Sequence, residues 1–192
     1  MKTAQLLIGL TGLARTGKTT SANHLVNTHG FAAYAFADPL REGLMQIFNL
    51  SPCDFDDDRK ELMIDWLGRS PRELMQSMGT EWGRHQVHPE LWILLAEQNL
   101  EFLGQTNDNA NGFVISDLRF ENEADFVRKR GGIVIHVLRS DADEVNPHIS
   151  ESGIGIQDND LVLHNDGALE DLFGQIDEFF TALTARAESA AA

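Results

Sequence analysis

With 192 residues, the chain is long enough for one domain with a buried core and an inserted lid, and it calls for no repeat architecture. Thirty acidic side chains against fifteen basic ones leave a formal charge of −15, which speaks against a nucleic-acid coat, because nonspecific affinity for a polyanion comes from clustered Lys and Arg. No apolar run approaches the roughly 18 residues that a membrane span requires.

The first ten residues, MKTAQLLIGL, place a single Lys before a short apolar stretch that runs into a glycine-rich turn. They read as a strand over Leu6–Leu10 and not as a signal peptide. Immediately after it, Gly12-Leu13-Ala14-Arg15-Thr16-Gly17-Lys18-Thr19 fits the pattern G-x-x-x-x-G-K-[ST], followed by Thr20 and a helical pattern over 18–29. Glycines permit positive φ, so backbone N–H groups can curl around a phosphate while the helix N-terminus adds its positive dipole end. Lys18 then reaches β and γ oxygens, Arg15 lies on the same loop, and the Thr19 hydroxyl suits Mg²⁺. This strand-to-helix setting makes ATP the expected ligand.

A second strand is expected at Ala32–Phe36 and helices at 39–48, 58–67, 71–86 and 89–103. Ser70-Pro71-Arg72-Glu73 is a capping box with proline at the first helical position, and His88-Pro89 opens the next helix similarly. Three or more helices are too many for a plain crossover, so region 38–104 projects from the sheet as an acceptor-gripping insertion. Cys53, the only cysteine, sits in the acidic run SPCDFDDD, where thiolate formation is disfavoured; no disulfide can form within the chain.

The third strand, Phe113–Ser116, ends at Asp117, which either holds Mg²⁺ or caps the helix expected at 121–130. Arg119, two residues on, is in reach of phosphates. Strands at Ile133–Leu138 and Leu161–Leu163 and a helix at 168–187 complete an alternating α/β pattern. The guanine-reading tetrapeptide Asn-Lys-x-Asp is absent, which excludes a switch GTPase. A small-molecule kinase or a regulatory ATP-binding module remains.

Gly68-Arg69-Ser70-Pro71-Arg72-Glu73-Leu74-Met75-Gln76 with Gly79-Thr80-Glu81-Trp82-Gly83-Arg84 resembles the substrate-binding stretch of the bacteriophage-type deoxynucleoside monophosphate kinases. Ser116–Glu123, His148-Ile149-Ser150-Glu151 and Asn165-Asp166-Gly167 resemble later parts of the same family, so the likeness runs from about residue 6 to 175. It implies an α/β P-loop kinase fold, a three-layer α/β/α sandwich on a five-stranded parallel sheet in the order 2-3-1-4-5. One domain is expected, with a core at 1–37 and 105–187, the acceptor region at about 38–104 and a lid-like segment at about 140–159.

The implied reaction moves the γ-phosphoryl group of ATP to a deoxynucleoside monophosphate, with Mg²⁺. Lys18, Arg15, Asp117 and Arg119 are the expected catalytic residues, Thr19 and Asp117 the metal-facing ones, and Arg139 an adenine-side contact. For the acceptor the candidates are Asp38, Arg41, Arg69, Arg72, Gln76, Gly79, Thr80, Trp82, Arg84, His148 and Glu151. Arginine outnumbers lysine eleven to four, as suits bidentate grip on phosphate. On one helix face, Arg72, Gln76 and Gly79 fall at i, i+4 and i+7: a phosphate clamp, a base reader and a point of close approach. Trp82 either stacks on the base or fills the core.

From Ser140 to Ala185 there is no Lys or Arg, unlike adenylate-kinase-like lids, so His148 and Glu151 are that segment's candidates. A dephospho-coenzyme A kinase type or an ATP-driven assembly module is the alternative. The partners expected are mononucleotides, with no nucleic-acid polymer and no membrane, in a cytoplasmic monomer or homodimer, in the host cytoplasm for a phage-encoded protein.

Overall fold

The computed structural model describes residues 5–107, 109–142 and 153–191. The chain forms two compact units, one comprising Met1–Ala33 with Asn107–Ala192 and the other Tyr34–Thr106. Strands β1 (Leu6–Thr11), β2 (Ala32–Tyr34), β3 (Gly112–Ile115), β4 (Ile133–Leu138) and β5 (Leu161–His164) form one sheet in the order β2-β3-β1-β4-β5. This is the expected order. β1 pairs in parallel with β3 on one side and β4 on the other, with Gly9 level with both Ile115 and Val134.

In the first unit, strand alternation distributes the core. Ile8 and Leu10 point to the face covered by α1 (Lys18–His29) and α6 (Leu169–Ala191), where Leu25, Val114, Ile135, Leu163, Leu172 and Ile176 join them in one buried cluster. Each such side chain contributes roughly 1.5–3 kcal/mol relative to exposure. The opposite face belongs to α5 (Glu121–Lys129). A Cβ on Gly9 would come within 2.8 Å of both Leu118 methyl carbons, so β1 carries glycine where Leu118 and Val127 occupy the space. No helix among the described residues is long and apolar enough to cross a membrane.

The second unit holds α2 (Asp38–Phe48), α3 (Pro71–Gln76) and α4 (Leu91–Thr106). Three sequence expectations change here. β2 stops at Tyr34, because the Asp38 carboxylate accepts the Ala35 N–H at 3.0 Å and turns the chain into α2. Residues 58–67 are turns and not a helix: Gly68 takes φ +67°, folding Arg69 back to accept the Ile64 N–H at 2.9 Å, and the Lys60 carbonyl is taken by the Arg72 N–H. Leu62, Met63 and Trp66 are exposed as a result.

The third change is inside the helix expected over 71–86. Its start is as expected, with the Glu73 N–H donating to Ser70 Oγ at 3.2 Å and the Ser70 N–H to the Glu73 carboxylate at 2.8 Å. After Gln76 the winding loosens to π-helical over Ser77–Val87. Trp92 accounts for this: its indole N–H donates to the Gly79 carbonyl at 2.8 Å, and its ring lies where a Cβ on Gly83 would sit. A side chain inserted into the i→i−4 ladder is a recognised cause of departure from regular α-helical geometry. α4 opens as expected near His88, whose Nδ1 accepts the Glu90 N–H.

A buried charge cluster fastens the segment before β5. Asp160, its side chain 2% exposed, accepts from Arg128 at 2.6 Å and lies 3.0 Å from His136 Nε2. Burial pushes the Asp160 carboxyl up, but the hydrogen bonds from Arg128, the Gln157 N–H and His136 outweigh it and hold the group below its ordinary value. A carboxylate depressed in the folded state adds stability that is present above its unfolded value, about 3.9, and is lost as pH falls through the folded one. Asp160→Asn should therefore cost about 3 kcal/mol at neutral pH, and its denaturant midpoint should fall less steeply than the wild type's below about pH 4. Parallel acid profiles for the two proteins would remove Asp160 from that role.

Candidate active site

The glycine-rich loop expected to bind phosphate is built by β1 ending at Thr11 and α1 beginning at Lys18. Between them Gly12 has φ +141°, Arg15 +64° and Gly17 +107°, three left-handed residues that curl the chain. Glycine is required at two of these for space as well as conformation. A Cβ on Gly12 would lie 2.3 Å from the Val137 carbonyl oxygen, and one on Gly17 would lie 2.6 Å from Asn165 Nδ2. Arg15 is exposed and holds the left-handed conformation without that freedom, a local strain of the kind found at ligand-binding turns.

Inside the curl, the Lys18 ammonium donates to the carbonyls of Gly12 and Leu13 at 2.8 and 2.6 Å. Thr16, buried, donates its hydroxyl to the Leu13 carbonyl at 3.0 Å. Thr19 is exposed at the second helical residue and Thr20 is half-buried beside it. From the end of β5, Asn165 donates its side-chain amide to the Thr16 carbonyl at 2.8 Å, and the Asn165 N–H donates to Leu138. Asn165 thus splints the loop from a position 149 residues away in sequence.

Asp117 follows β3 by two residues, and the next N–H, that of Leu118, donates to the Leu10 carbonyl at 3.1 Å. That bond carries the post-strand segment along β1 to the sheet edge where the loop begins. Glu123, 3% exposed, accepts the N–H groups of Arg119 and Phe120 at 2.7 and 3.1 Å and so fixes the turn that presents Arg119. Glu123 thereby closes the capping box at the start of α5. Arg139, past the end of β4, is exposed and engages Asp141 through Nε at 2.5 Å and Nη2 at 2.9 Å. The hydrogen bond from Arg139 holds the Asp141 carboxyl below its ordinary value.

Within the helical unit, each of three candidate arginines faces a carboxylate. Arg41 meets Asp38 at 3.0 Å, Arg69 meets Glu73 at 3.3 Å, and Arg72, largely buried, has Nε 3.4 Å from Glu61. Asp38 and Glu73 accept hydrogen bonds that orient the Arg41 and Arg69 guanidinium planes, whereas Glu61 faces Arg72 Nε as an ion pair without a hydrogen bond to it. Gln76 is half-buried. Gly79 and Thr80 are buried; a Cβ on Gly79 would touch Leu40 at 3.0 Å, so this glycine serves packing between helices. Trp82 is 46% exposed, which removes the core alternative for it. Arg84 is buried, its Nη1 donating to the Pro89 carbonyl at 3.3 Å. His148 and Glu151 lie outside the described residues.

The sequence profile of deoxynucleotide monophosphate kinase matches residues 69–176, more than half of the chain. A protein of Acanthamoeba polyphaga mimivirus, provisionally named a deoxynucleotide monophosphate kinase, is 35% identical over 182 residues, spanning 89% of this chain and 94% of its own. The chain belongs to the deoxynucleotide monophosphate kinase family. The family member of Enterobacteria phage T4 is 26% identical over 234 residues, spanning 88% of this chain and 96% of its own. That of Escherichia phage RB69 is 36% identical over 110 residues, spanning 57% of this chain and 44% of its own.

Asn165 and Glu123 are the two residues whose roles sequence reasoning did not assign, although both stand in stretches resembling this family. Asn165→Ala should leave the Thr16 carbonyl without its partner and loosen the loop, costing about 1–3 kcal/mol. The expected readout is a roughly tenfold or greater loss of ATP affinity by calorimetry, with the fold retained by circular dichroism. Unchanged affinity would show that the loop keeps its shape unaided.

Proposed function

We propose that this family member transfers the γ-phosphoryl group of ATP to a deoxynucleoside 5′-monophosphate, forming ADP and the corresponding diphosphate. The observation that carries the reading is the left-handed loop Gly12–Thr19 with the Lys18 ammonium folded into it, in a chain of this family. Such a curl presents backbone N–H groups and a fixed cation to a polyphosphate. A phosphate oxygen of the acceptor attacks the γ-phosphorus as the bond to the β–γ bridging oxygen breaks, and ADP leaves with that electron pair. No covalent enzyme intermediate is required, because this transfer depends on alignment and on stabilising charge.

The roles divide by unit. Gly12 to Thr20 bind the donor phosphates, Lys18, Arg15 and Arg119 stabilise the equatorial oxygens of the transferring group, and Arg139 lies on the adenine side. Thr19 and Asp117 present hydroxyl and carboxylate oxygens, the donor type Mg²⁺ favours. When bound with the nucleotide, Mg²⁺ neutralises charge shifting toward the β-phosphate. Arg41, Arg69 and Arg72 hold the acceptor phosphate, Gln76 reads a base edge, and the exposed Trp82 face stacks on a base. Asp38 orients Arg41 at 3.0 Å. Gly79, Thr80 and Arg84, all buried, act by shaping the wall behind these groups. The two units serve one catalytic domain, acting in the cytoplasm, of the host for a phage protein, as a monomer or homodimer on free mononucleotides.

ADP release coupled to an NADH readout, measured against deoxynucleoside monophosphates, ribonucleoside monophosphates and dephospho-coenzyme A, tests the proposal. Turnover should rise above ATP alone with at least one deoxynucleoside monophosphate; no rise with any of them would end this reading. Lys18→Ala should lower kcat about a hundredfold or more. Arg72→Lys keeps the charge but loses the planar fork, so the acceptor KM should rise about tenfold while that for ATP stays near the wild-type value. Equal changes in both KM values would place Arg72 outside acceptor binding.

A further inference from the structure

A second cluster of ligand-type side chains lies apart from the phosphate loop, where α1 packs on α6. His24 and His29 stand five residues apart on α1, and both direct Nε2 at the same oxygen of Asp177 on α6, at 2.7 and 2.8 Å. The three ligand atoms all lie within 4.8 Å of one another. Both rings are held in place by stacking. His24 lies flat on Phe173 with centroids 4.1 Å apart and 7° between planes, and His29 lies on Phe180 at 4.5 Å. The hydroxyl of Thr28 sits 3.3 Å from His24 Nδ1, the outer contact that fixes a ligating histidine as an Nε2 donor.

The cluster is accessible from its carboxylate side. Asp177 is 48% exposed, while His24 and His29 are 11% and 20% exposed, so an ion could enter from the carboxylate side with a water completing its shell. Two imidazoles and one carboxylate are the donor set of zinc and its neighbours in the first transition row, not of Mg²⁺, which favours oxygen alone. Bonds of about 2.0–2.1 Å to a tetrahedral ion set its ligands about 3.3 Å apart, so insertion requires each imidazole to withdraw from Asp177 by about half an ångström.

We infer that His24, His29 and Asp177 form a three-ligand site for a divalent transition ion, Zn²⁺ by chemistry, that clasps α6 to the helix carrying the phosphate loop. The site is separate from the one that takes the nucleotide, and its occupancy does not depend on the kinase reading. Zn²⁺ replaces two hydrogen bonds to one oxygen with three coordinate bonds, and it binds the folded chain in preference to the unfolded one, where the ligands are scattered. The thermal midpoint should therefore rise with ion concentration.

The test uses the full chain without nucleotide, after chelator treatment, titrated with Zn²⁺ and separately with Co²⁺. The wild type should take up one equivalent of Zn²⁺ with a rising midpoint and, with Co²⁺, show the visible absorption of a four-coordinate ion. His29→Gln and Asp177→Asn should each lower the affinity at least tenfold, while a His85→Gln/His88→Gln variant keeps it. Long-range nitrogen NMR of the wild-type imidazoles gives a second readout that needs no variant: the His24 and His29 Nε2 signals should shift with Zn²⁺. Absence of stoichiometric uptake, wild-type affinity in either ligand variant, or shifts confined to other histidines would overturn the assignment.

Discussion

The approach of Gly12 to the Val137 carbonyl is the constraint on which the first unit turns. β1 and β4 run in parallel to the same edge, with Thr11 level with His136, so the residue after β1 must turn directly against the neighbouring strand's backbone. Only a residue without Cβ fits, since a side-chain carbon there would overlap the Val137 oxygen at 2.3 Å. Once the chain leaves the sheet at that angle, the left-handed turns at Arg15 and Gly17 bring it round to α1, and α1 packs Leu25 into the buried cluster beneath. The glycine-rich loop is thus held by the sheet itself. Asn165 at the end of β5 and Leu118 after β3 add hydrogen bonds from strands on either side.

In the helical unit the comparable constraint is Trp92. Its indole N–H and its ring both need room along the segment after α3, and Gly79 and Gly83 supply it. The helix widens in consequence, and burial alternates in pairs: Gly79 and Thr80 inside, Glu81 and Trp82 outside, Gly83 and Arg84 inside. A π-helical run of this length is uncommon, and shorter ones cluster at functional positions. Here it turns Trp82 outward and Arg84 inward, an arrangement that ordinary α-winding from Pro71 would not produce.

What the sequence made legible was whatever depends on nearest neighbours along the chain. The strand over Ile133–Leu138, the helix over 18–29, the capping box at Ser70 and the left-handed glycine loop between β1 and α1 all follow from local pattern and glycine placement. The strand order came from family resemblance, and the sheet has that order. Readings failed where a distant group takes over a backbone partner. Residues 58–67 carry helical composition, yet Arg72 and Arg69 occupy the bonds a helix would need. The face shared by Arg72, Gln76 and Gly79 assumed a winding that Trp92 changes. Asn165, Glu123 and the His24–His29–Asp177 cluster stayed hidden for the same reason: each acts on backbone or side chains that only folding brings near.

The two carbonyls that accept from Lys18 carry a consequence for how fast a nucleotide can be captured. With the ammonium pinned between the Gly12 and Leu13 oxygens, the loop keeps those oxygens turned toward a cation and away from the path of an arriving anion. The cost of ordering these residues is met when the chain folds, not when it meets its ligand, so little conformational entropy remains to be lost at encounter. In the proposed reaction an incoming polyphosphate would replace these carbonyls as acceptors of the Lys18 N–H groups. On that reading, the net charge of −15 slows a like-charged ligand, and the on-rate climbs as added salt screens it.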